Sequence, residues 1–385
     1  MRLAIASLLL GLWAGSAPAL ELGVTWLHRV VPPPPVLSNL DPVPEDLGRA
    51  GAELGLRDNR TTGQFLGHSY GLSESDVPEG GDILAVARDA LAQSPFLIVD
   101  APAADLLAIA DLPEAQGALI FNAAAPETAL RSGDCRANLL HTLPSRAMLA
   151  DALMQGLASK RWTDLALITG PRDADHAWAE AMKASAAKFR LRARGEAVWD
   201  EAADMRRNAS QEVPLFTQGF RDHDVLLIAD EAHDFARYIA YNTWLPRPVA
   251  GSAGMMPAAW SRVVEQWGAA QLQSRFEELA GRPMQDRDYA AWAAFRALGE
   301  AVTRTGSADP AELRAYMLGD DFELAGFKGS PLSFRPWNGQ LRQPIPLVTD
   351  QAVVAVAPME GFLHQGNELD TLGLDRPDSA CTQFD

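Results

Sequence analysis

Short apolar runs recur along the chain, each followed by a segment whose apolar residues return at helical spacing. Leu22 to Leu27 (LGVTWL) opens the series, a helical stretch follows near Glu45 to Arg57, and Gln64 to Leu72 (QFLGHSYGL) reads as extended. In Asp82 to Ala92, Ile83, Val86, Ala87, Ala90 and Leu91 share one helical face. Phe96 to Asp100 (FLIVD), Ala118 to Ala123, Leu165 to Gly170 and Val225 to Asp230 (VLLIAD) read as further strands. Between them, Ser145 can cap a helix carrying Leu149, Leu153, Gly156 and Leu157, and a second helix aligns Trp178, Ala181, Met182 and Phe189. Apolar strands without alternation, separated by amphipathic helices, suit a parallel sheet covered on both faces. The expected fold class is therefore α/β, doubly wound. Arg282 to Thr305 is strongly helical, and Leu332 to Ala357 returns to strands, with Trp337-Asn338-Gly339 as a turn.

Composition adds size and destination. The chain has 385 residues, 48% hydrophobic and 22% charged, enough for two domains. Met1 and Arg2, the apolar run Leu3 to Trp13 and the small-residue site Ala17-Pro18-Ala19 read as a secretory signal peptide, removed after about Ala19. The apolar run is well short of the roughly 20 residues that a spanning helix needs, so the expected product is exported and not membrane-embedded. The net charge of -17, from 33 basic and 50 acidic residues, disfavours nucleic acid and anionic lipid as partners. Cys135 and Cys381 are the two cysteines. In an oxidising compartment a disulfide is expected, with two free thiols as the alternative; a loop this long would contribute roughly 5 kcal/mol in the chain-entropy view.

Candidate chemistry is sparse. Gly67-His68-Ser69-Tyr70-Gly71 fits the G-x-S-x-G nucleophile pattern. That pattern needs a strand, a sharp turn at the serine and a helix at once, whereas LSESDVPEGG follows and reads as a loop. The seven histidines are scattered, with no zinc spacing, and no glycine-rich phosphate loop follows any strand, so no cofactor is expected. The acidic group Asp222, Asp224, Asp230, Glu231 and Asp234 fits solvated loop charge for the most part. Geometry supplies the better guide, because ligands of open α/β sheets sit beyond the carboxyl ends of the strands. Those positions hold Asp100 and Ala101, Asn122 and Ala123, Gly170 and Pro171, and Asp230 and Glu231.

The order of segments then becomes informative. CRANLLHTLPS (Cys135 to Ser145) leading to DLALITG, and DYAAWAAFRALGEAV (Asp288 to Val302) followed by FKGSPLSFRPWNGQ (Phe327 to Gln340), resemble periplasmic binding proteins of the branched-chain amino-acid type over essentially the whole mature chain. The run from Ala250 to Trp292 is similar, more narrowly, to the subgroup associated with PQQ-dependent alcohol dehydrogenase systems. The resemblance implies two α/β lobes joined by three crossovers: lobe one at about 20–143 and 249–325, lobe two at 144–248 and 326–362, and a tail at 363–385. It implies a monomer without catalytic residues that delivers a ligand to the permease and ATPase subunits of an ABC importer. The ligand contacts expected from it are Asp100, Ala101, Asn122, Ala123, Asp230, Glu231 and Ser252. The loops that would hold an amino acid's carboxylate here lack hydroxyls, and a buried Asp100 would repel it. Asp100 would then either cap a helix, pair with an arginine, or join Asp230 and Glu231 around a cation such as a lanthanide, or around an amine walled by Trp26 or Trp244. A metal carrier on the same fold and an exported hydrolase using Ser69 are the alternatives.

Overall fold

The structure, a computed structural model, describes residues 20–32, 43–199 and 205–384. The expected leader, Met1 to Ala19, and Pro33 to Pro35 of the proline run lie outside the described residues. Two sheets carry the architecture. The first runs β2-β1-β3-β4-β5, built from β1 (Glu21–Arg29), β2 (Ser69–Val77), β3 (Phe96–Asp100), β4 (Leu119–Asn122) and β5 (Leu139–His141). The second runs β7-β6-β8-β9, built from β6 (Asp164–Thr169), β7 (Arg192–Val198), β8 (Val225–Ala229) and β9 (Val249–Gly251). Every neighbouring pair in both is parallel, so the connections must cross over, and helices fill them.

Each sheet is sandwiched between two apolar layers. In β3, Phe96 and Ile98 enter one core and Leu97 and Val99 the other; in β8, Val225, Leu227 and Ala229 oppose Leu226 and Ile228. That two-sided burial is the physical origin of the unbroken apolar runs. The first sheet is covered on one face by α1 (Arg49–Leu66), α8 (Ala269–Ala280), α9 (Asp286–Thr305) and α10 (Pro310–Leu318), and on the other by α2 (Ile83–Gln93) and α3 (Ala103–Ala110). The second is covered by α4 (Arg146–Ser159) and α5 (Asp173–Lys188) on one face, and by α6 (Met205–Thr217) and α7 (Ala236–Ile239) on the other. Helices α1 and α9 meet at Gly51, where a Cβ would fall 1.9 Å from the Asp288 carbonyl oxygen. Only glycine permits that approach.

The remaining strands organise the hinge. An antiparallel sheet of β10 (Met256–Pro257), β13 (Ile345–Val348) and β14 (Val353–Ala357) joins the second core, whereas the hairpin β11 (Ser333–Phe334) and β12 (Leu341–Arg342) packs on the first. This moves two lobe boundaries. Val249–Gly251 pairs with β8 and so belongs to lobe two, not to lobe one as expected. The last crossover falls at Gln343 and Pro344 rather than near Gly326, because Phe334 and Leu341 are buried in the first core and Ile345 in the second.

Two edge strands escape a reading by apolar pattern. Helix α1 continues through Gln64 to Leu66 and stops at Gly67, whose φ of 75° closes it. The segment expected to be a loop after Gly71 is instead β2 as far as Val77. Strand β7 (RARGEAV) is exposed along most of its length. Each has one neighbour, so neither needs an apolar run.

Candidate functional site

The loops at the carboxyl ends of the two sheets meet through Arg146, the first residue of α4. Ser145 caps that helix, its Oγ accepting the Met148 N–H at 3.3 Å, which fixes where the arginine leaves the backbone. The Arg146 guanidinium donates to both oxygens of Glu231, at 2.5 Å and 2.7 Å, and to Glu127 Oε1 at 3.2 Å. Glu127 follows β4 in lobe one and Glu231 follows β8 in lobe two. The strand ends of the two lobes therefore face one another across a cleft.

On the lobe-one side, Trp26, His28, Glu45, Leu47, Arg49 and Asp76 border a cavity of about 210 Å³ at the ends of β1 and β2. His28 Nδ1 lies 3.1 Å from Asp76 Oδ1, and Arg49 Nη1 donates to Glu74 at 3.1 Å. Gly48, at φ 79°, has no side chain to separate the Trp26 ring from Asp100: a Cβ there would sit 2.6 Å from the ring and 3.3 Å from Asp100 Oδ2. On the lobe-two side, Arg172 Nη2 donates to Asp234 at 2.8 Å. Thr169, the last residue of β6, is buried with no hydrogen-bond partner for its hydroxyl among the described residues.

Most of the strand-end residues expected to touch a ligand are committed to the fold. Asn122 accepts the Ala124 and Ala125 N–H groups at 3.1 Å and 2.8 Å and donates to the Ala125 carbonyl, forming the turn that carries Ala123. Asp230 accepts three backbone N–H groups, from Asp234 at 3.0 Å and from Phe235 and Ala236 at 2.8 Å each. The Ser252 hydroxyl accepts the Asp230 N–H at 2.9 Å, tying β9 to β8. Glu231 is taken by Arg146. Of the other acids in that group, Asp224 accepts the Thr163 and Asp164 N–H groups, and Asp222 pairs with Arg247.

Asp100 differs. It is 4% exposed, with Ala101 buried beside it. It does not cap a helix, because α3 begins three residues later behind Pro102 with no side-chain cap. Its partner is Arg287 on the first turn of α9, with Nη1 3.3 Å from Oδ1. Burial pushes its carboxyl above the usual range, opposed by the charges of Arg287 and His28.

Asp100, Asp230 and Glu231 are not assembled as a cation site: among the described residues no group of three or more His, Cys, Asp or Glu side chains is placed to hold a metal ion. The Trp244 backbone N–H donates to Thr217 Oγ1 at the end of α6, and the residue is 60% exposed. Helix α6 leads into the amino end of β8, so this ring stands away from the cleft, unlike Trp26. Ser69 opens β2 at the opposite, amino end of the first sheet, inside a continuous strand rather than at a strand-to-helix turn. The nucleophile elbow does not form. Cys135 and Cys381 are joined by a disulfide, with Cα atoms 5.7 Å apart.

Arg146, Glu127, Arg287 and His28 were not singled out from sequence. Arg146 directly follows a recognisable cap, and Arg287 lies at a helix start; both positions point side chains toward strand ends, which is the signal that could have found them.

No protein-family model matches the chain, and no curated protein matches it. Solved structures do. The chain is similar to a branched-chain amino-acid ABC-transporter periplasmic ligand-binding protein from Burkholderia xenovorans, with TM-score 0.72 at 15% identity over 94% of this chain and 100% of that one. It is similar to a leucine-, isoleucine-, valine-, threonine- and alanine-binding protein from Brucella ovis in a closed conformation, with TM-score 0.69 at 14% identity over 94% and 99%. It is also similar to an ABC-transporter solute-binding protein from Rhodopseudomonas palustris in complex with 3,4-dihydroxybenzoic acid, with TM-score 0.61 at 12% identity over 87% and 97%. The fold is the two-lobed α/β architecture of type I periplasmic binding proteins.

Proposed function

We propose that this protein is the periplasmic substrate-binding component of an ABC importer, holding a small organic solute between its lobes without catalysing a reaction. The observation that carries this reading is the cleft itself: strand-end loops from both lobes converge at Arg146, beside a cavity bordered by Trp26, His28 and Arg49. Closure of such lobes on a solute raises the population of the closed state, which a permease can then recognise. No helix among the described residues is long and apolar enough to cross a membrane, which suits a component that travels between solute and transporter.

The charges of the cleft favour an organic solute over a metal ion. Arg287 is half exposed while its partner Asp100 is buried. The arginine offsets the repulsion that Asp100 alone would exert on a carboxylate, so an acid or a zwitterion fits this mouth. The solved relatives include binders of amino acids and of a dihydroxybenzoic acid, and both classes carry that group. The sequence run from Ala250 to Trp292 supports a narrower role, service to a PQQ-dependent alcohol-oxidation system, in which the solute would be an alcohol-derived acid or a component of that system.

A thermal-shift panel tests this reading: branched-chain amino acids, hydroxybenzoates, short-chain acids, alcohols, aldehydes, PQQ, calcium and lanthanides. An organic acid at 100 times its dissociation constant should add about 2.7 kcal/mol of stability, and Arg287→Ala and Trp26→Ala should each remove the shift. A response confined to lanthanides would replace the importer reading with a metal carrier. A shift fully retained in both variants would place the solute outside this cleft.

A further inference from the structure

Beyond β14 the chain stays on the second lobe, then leaves it and ends on the first. On lobe two, Leu372 is buried with Met148, Leu153 and Leu157 of α4, and the Gly373 N–H donates to Asp151 Oδ2 at 2.7 Å. Lys188 Nζ reaches the Thr371 and Gly373 carbonyls at 2.9 Å and 3.1 Å. Beside the last crossover, Asp370 accepts from Arg335 Nε at 2.9 Å and from Arg342 Nε and Nη2 at 2.7 Å and 3.0 Å. Arg335 also donates to the carbonyls of Leu369 and Leu372, at 3.1 Å and 2.6 Å. Both arginines stand on the β11–β12 hairpin, which packs into lobe one. On lobe one proper, Ser379 Oγ donates to the Arg131 carbonyl at 2.8 Å and the Ala380 N–H to Ser132 Oγ at 2.9 Å. Cys381 is bonded to Cys135, and the Phe384 ring lies 4.9 Å from the Arg314 guanidinium.

We propose that residues 368–384 form a fourth connection between the lobes, fastened by the disulfide, which restricts the hinge motion that the three crossovers allow. Reach and buried charge both oppose that motion. Between the Gly373 anchor on lobe two and the Ser379 anchor on lobe one the chain can span at most about 20 Å, and part of it is wound into the turn Arg376–Asp378. Rotation that separates the anchors must unwind that turn or open the Asp370 clamp. Asp370 is 4% exposed and Arg335 1% exposed, so opening the clamp strands buried charge. The disulfide removes the easier escape, in which the tail end peels off lobe one. Two of the crossovers are already tied together, Gln343 Nε2 donating to the Thr142 carbonyl at 2.9 Å, and Lys328 Nζ of lobe one donates to Gln343 Oε1 at 2.5 Å. The strap therefore grips the hinge as a unit. The strap acts whatever solute the cleft takes.

Hydrogen exchange followed by mass spectrometry on the full protein and on Cys381→Ser tests it. The strap predicts at least a tenfold faster exchange in the crossover segments 141–145 and 341–346 of the variant, with β3 and β8 unchanged, and a larger radius of gyration by small-angle X-ray scattering. Faster exchange confined to 375–384 would make the tail a local clasp and overturn the proposal, as would an unchanged pattern. Should Cys381→Ser fail to fold, the folded wild type treated with dithiothreitol is read in the same way, the dithiol closing to its cyclic disulfide as Cys135 and Cys381 become thiols.

Discussion

Two strands, one in each lobe, end in the same way: FLIVD in β3 and VLLIAD at β8, each an apolar run closed by aspartate. Their carboxylates have opposite fates. After Asp230 the chain folds back, and three backbone N–H groups within six residues close on its oxygens. After Asp100 comes Ala-Pro, and proline has no N–H to give. Its charge is answered instead by Arg287, 187 positions along the chain. A carboxylate at a strand end is thus either a piece of local turn architecture or a group left facing the crevice, and the residues that follow it decide which.

Removing each carboxylate in turn separates the two cases. Asp230→Ala orphans two buried N–H groups and one half-buried one, and at roughly 1–3 kcal/mol for each unsatisfied group a loss of about 4 kcal/mol is expected from urea denaturation. A loss below about 1 kcal/mol would show that water or a shifted loop replaces the carboxylate, and the contrast with Asp100 would collapse.

Arg146→Met comes next. Breaking a buried ion pair is worth about 3–5 kcal/mol, and the partial exposure of Glu231 and Glu127 reduces the expected loss to about 2 kcal/mol. Arg146→Lys should recover less than half of it, because an ammonium cannot make the two-pronged contact with Glu231.

Asp100→Asn should have the smallest effect on stability at neutral pH, within about 1 kcal/mol, and it should carry a pH signature. Burial raises the folded-state pKa of Asp100 above its ordinary value of 3.8. Its protonated form therefore favours the folded state below that pH, and this contribution is lost as pH rises through the folded-state value. The variant should gain on the wild type as pH rises from the ordinary value of 3.8 through the folded-state value, and run parallel to it on either side of that window. A gap that instead widened toward acid would mean that the carboxylate is stabilised by Arg287 more than it is penalised by burial.

The fold was legible where both faces of an element are buried. β3, β4, β6 and β8 and helices α4, α5 and α9 stood out because a covered parallel sheet needs continuous apolar sequence and its helices need one apolar face. It was illegible at the rims. β2 and β7 are edge strands, the second half of β2 reads as polar loop, β7 offers no apolar run, and β9 is three residues long. The lobe boundaries failed for a related reason: whether Val249 joins lobe one or two depends on its pairing with Leu226, and nothing in either segment records that partnership.

The site divides in the same way. That residues 100–101, 122–123, 230–231 and 252 lie at strand ends followed from the alternation of strands and helices. Their roles did not follow. Asn122, Asp230 and Ser252 hold turns together, Glu231 belongs to Arg146, and the cavity is bordered by Trp26, His28 and Arg49 from the first strand and the first helix. Sequence alone determined the layered α/β fold, because that rests on the local periodicity of apolar residues, and it determined that any internal disulfide must join Cys135 to Cys381, because there are no other cysteines. Which arginine answers Asp100, which one spans the cleft and how the tail binds the lobes were set by tertiary contacts. Arg146 and Glu231 are 85 positions apart, Asp100 and Arg287 187, and Asp151 and Gly373 222, and the local pattern carries no record of contacts at such separations.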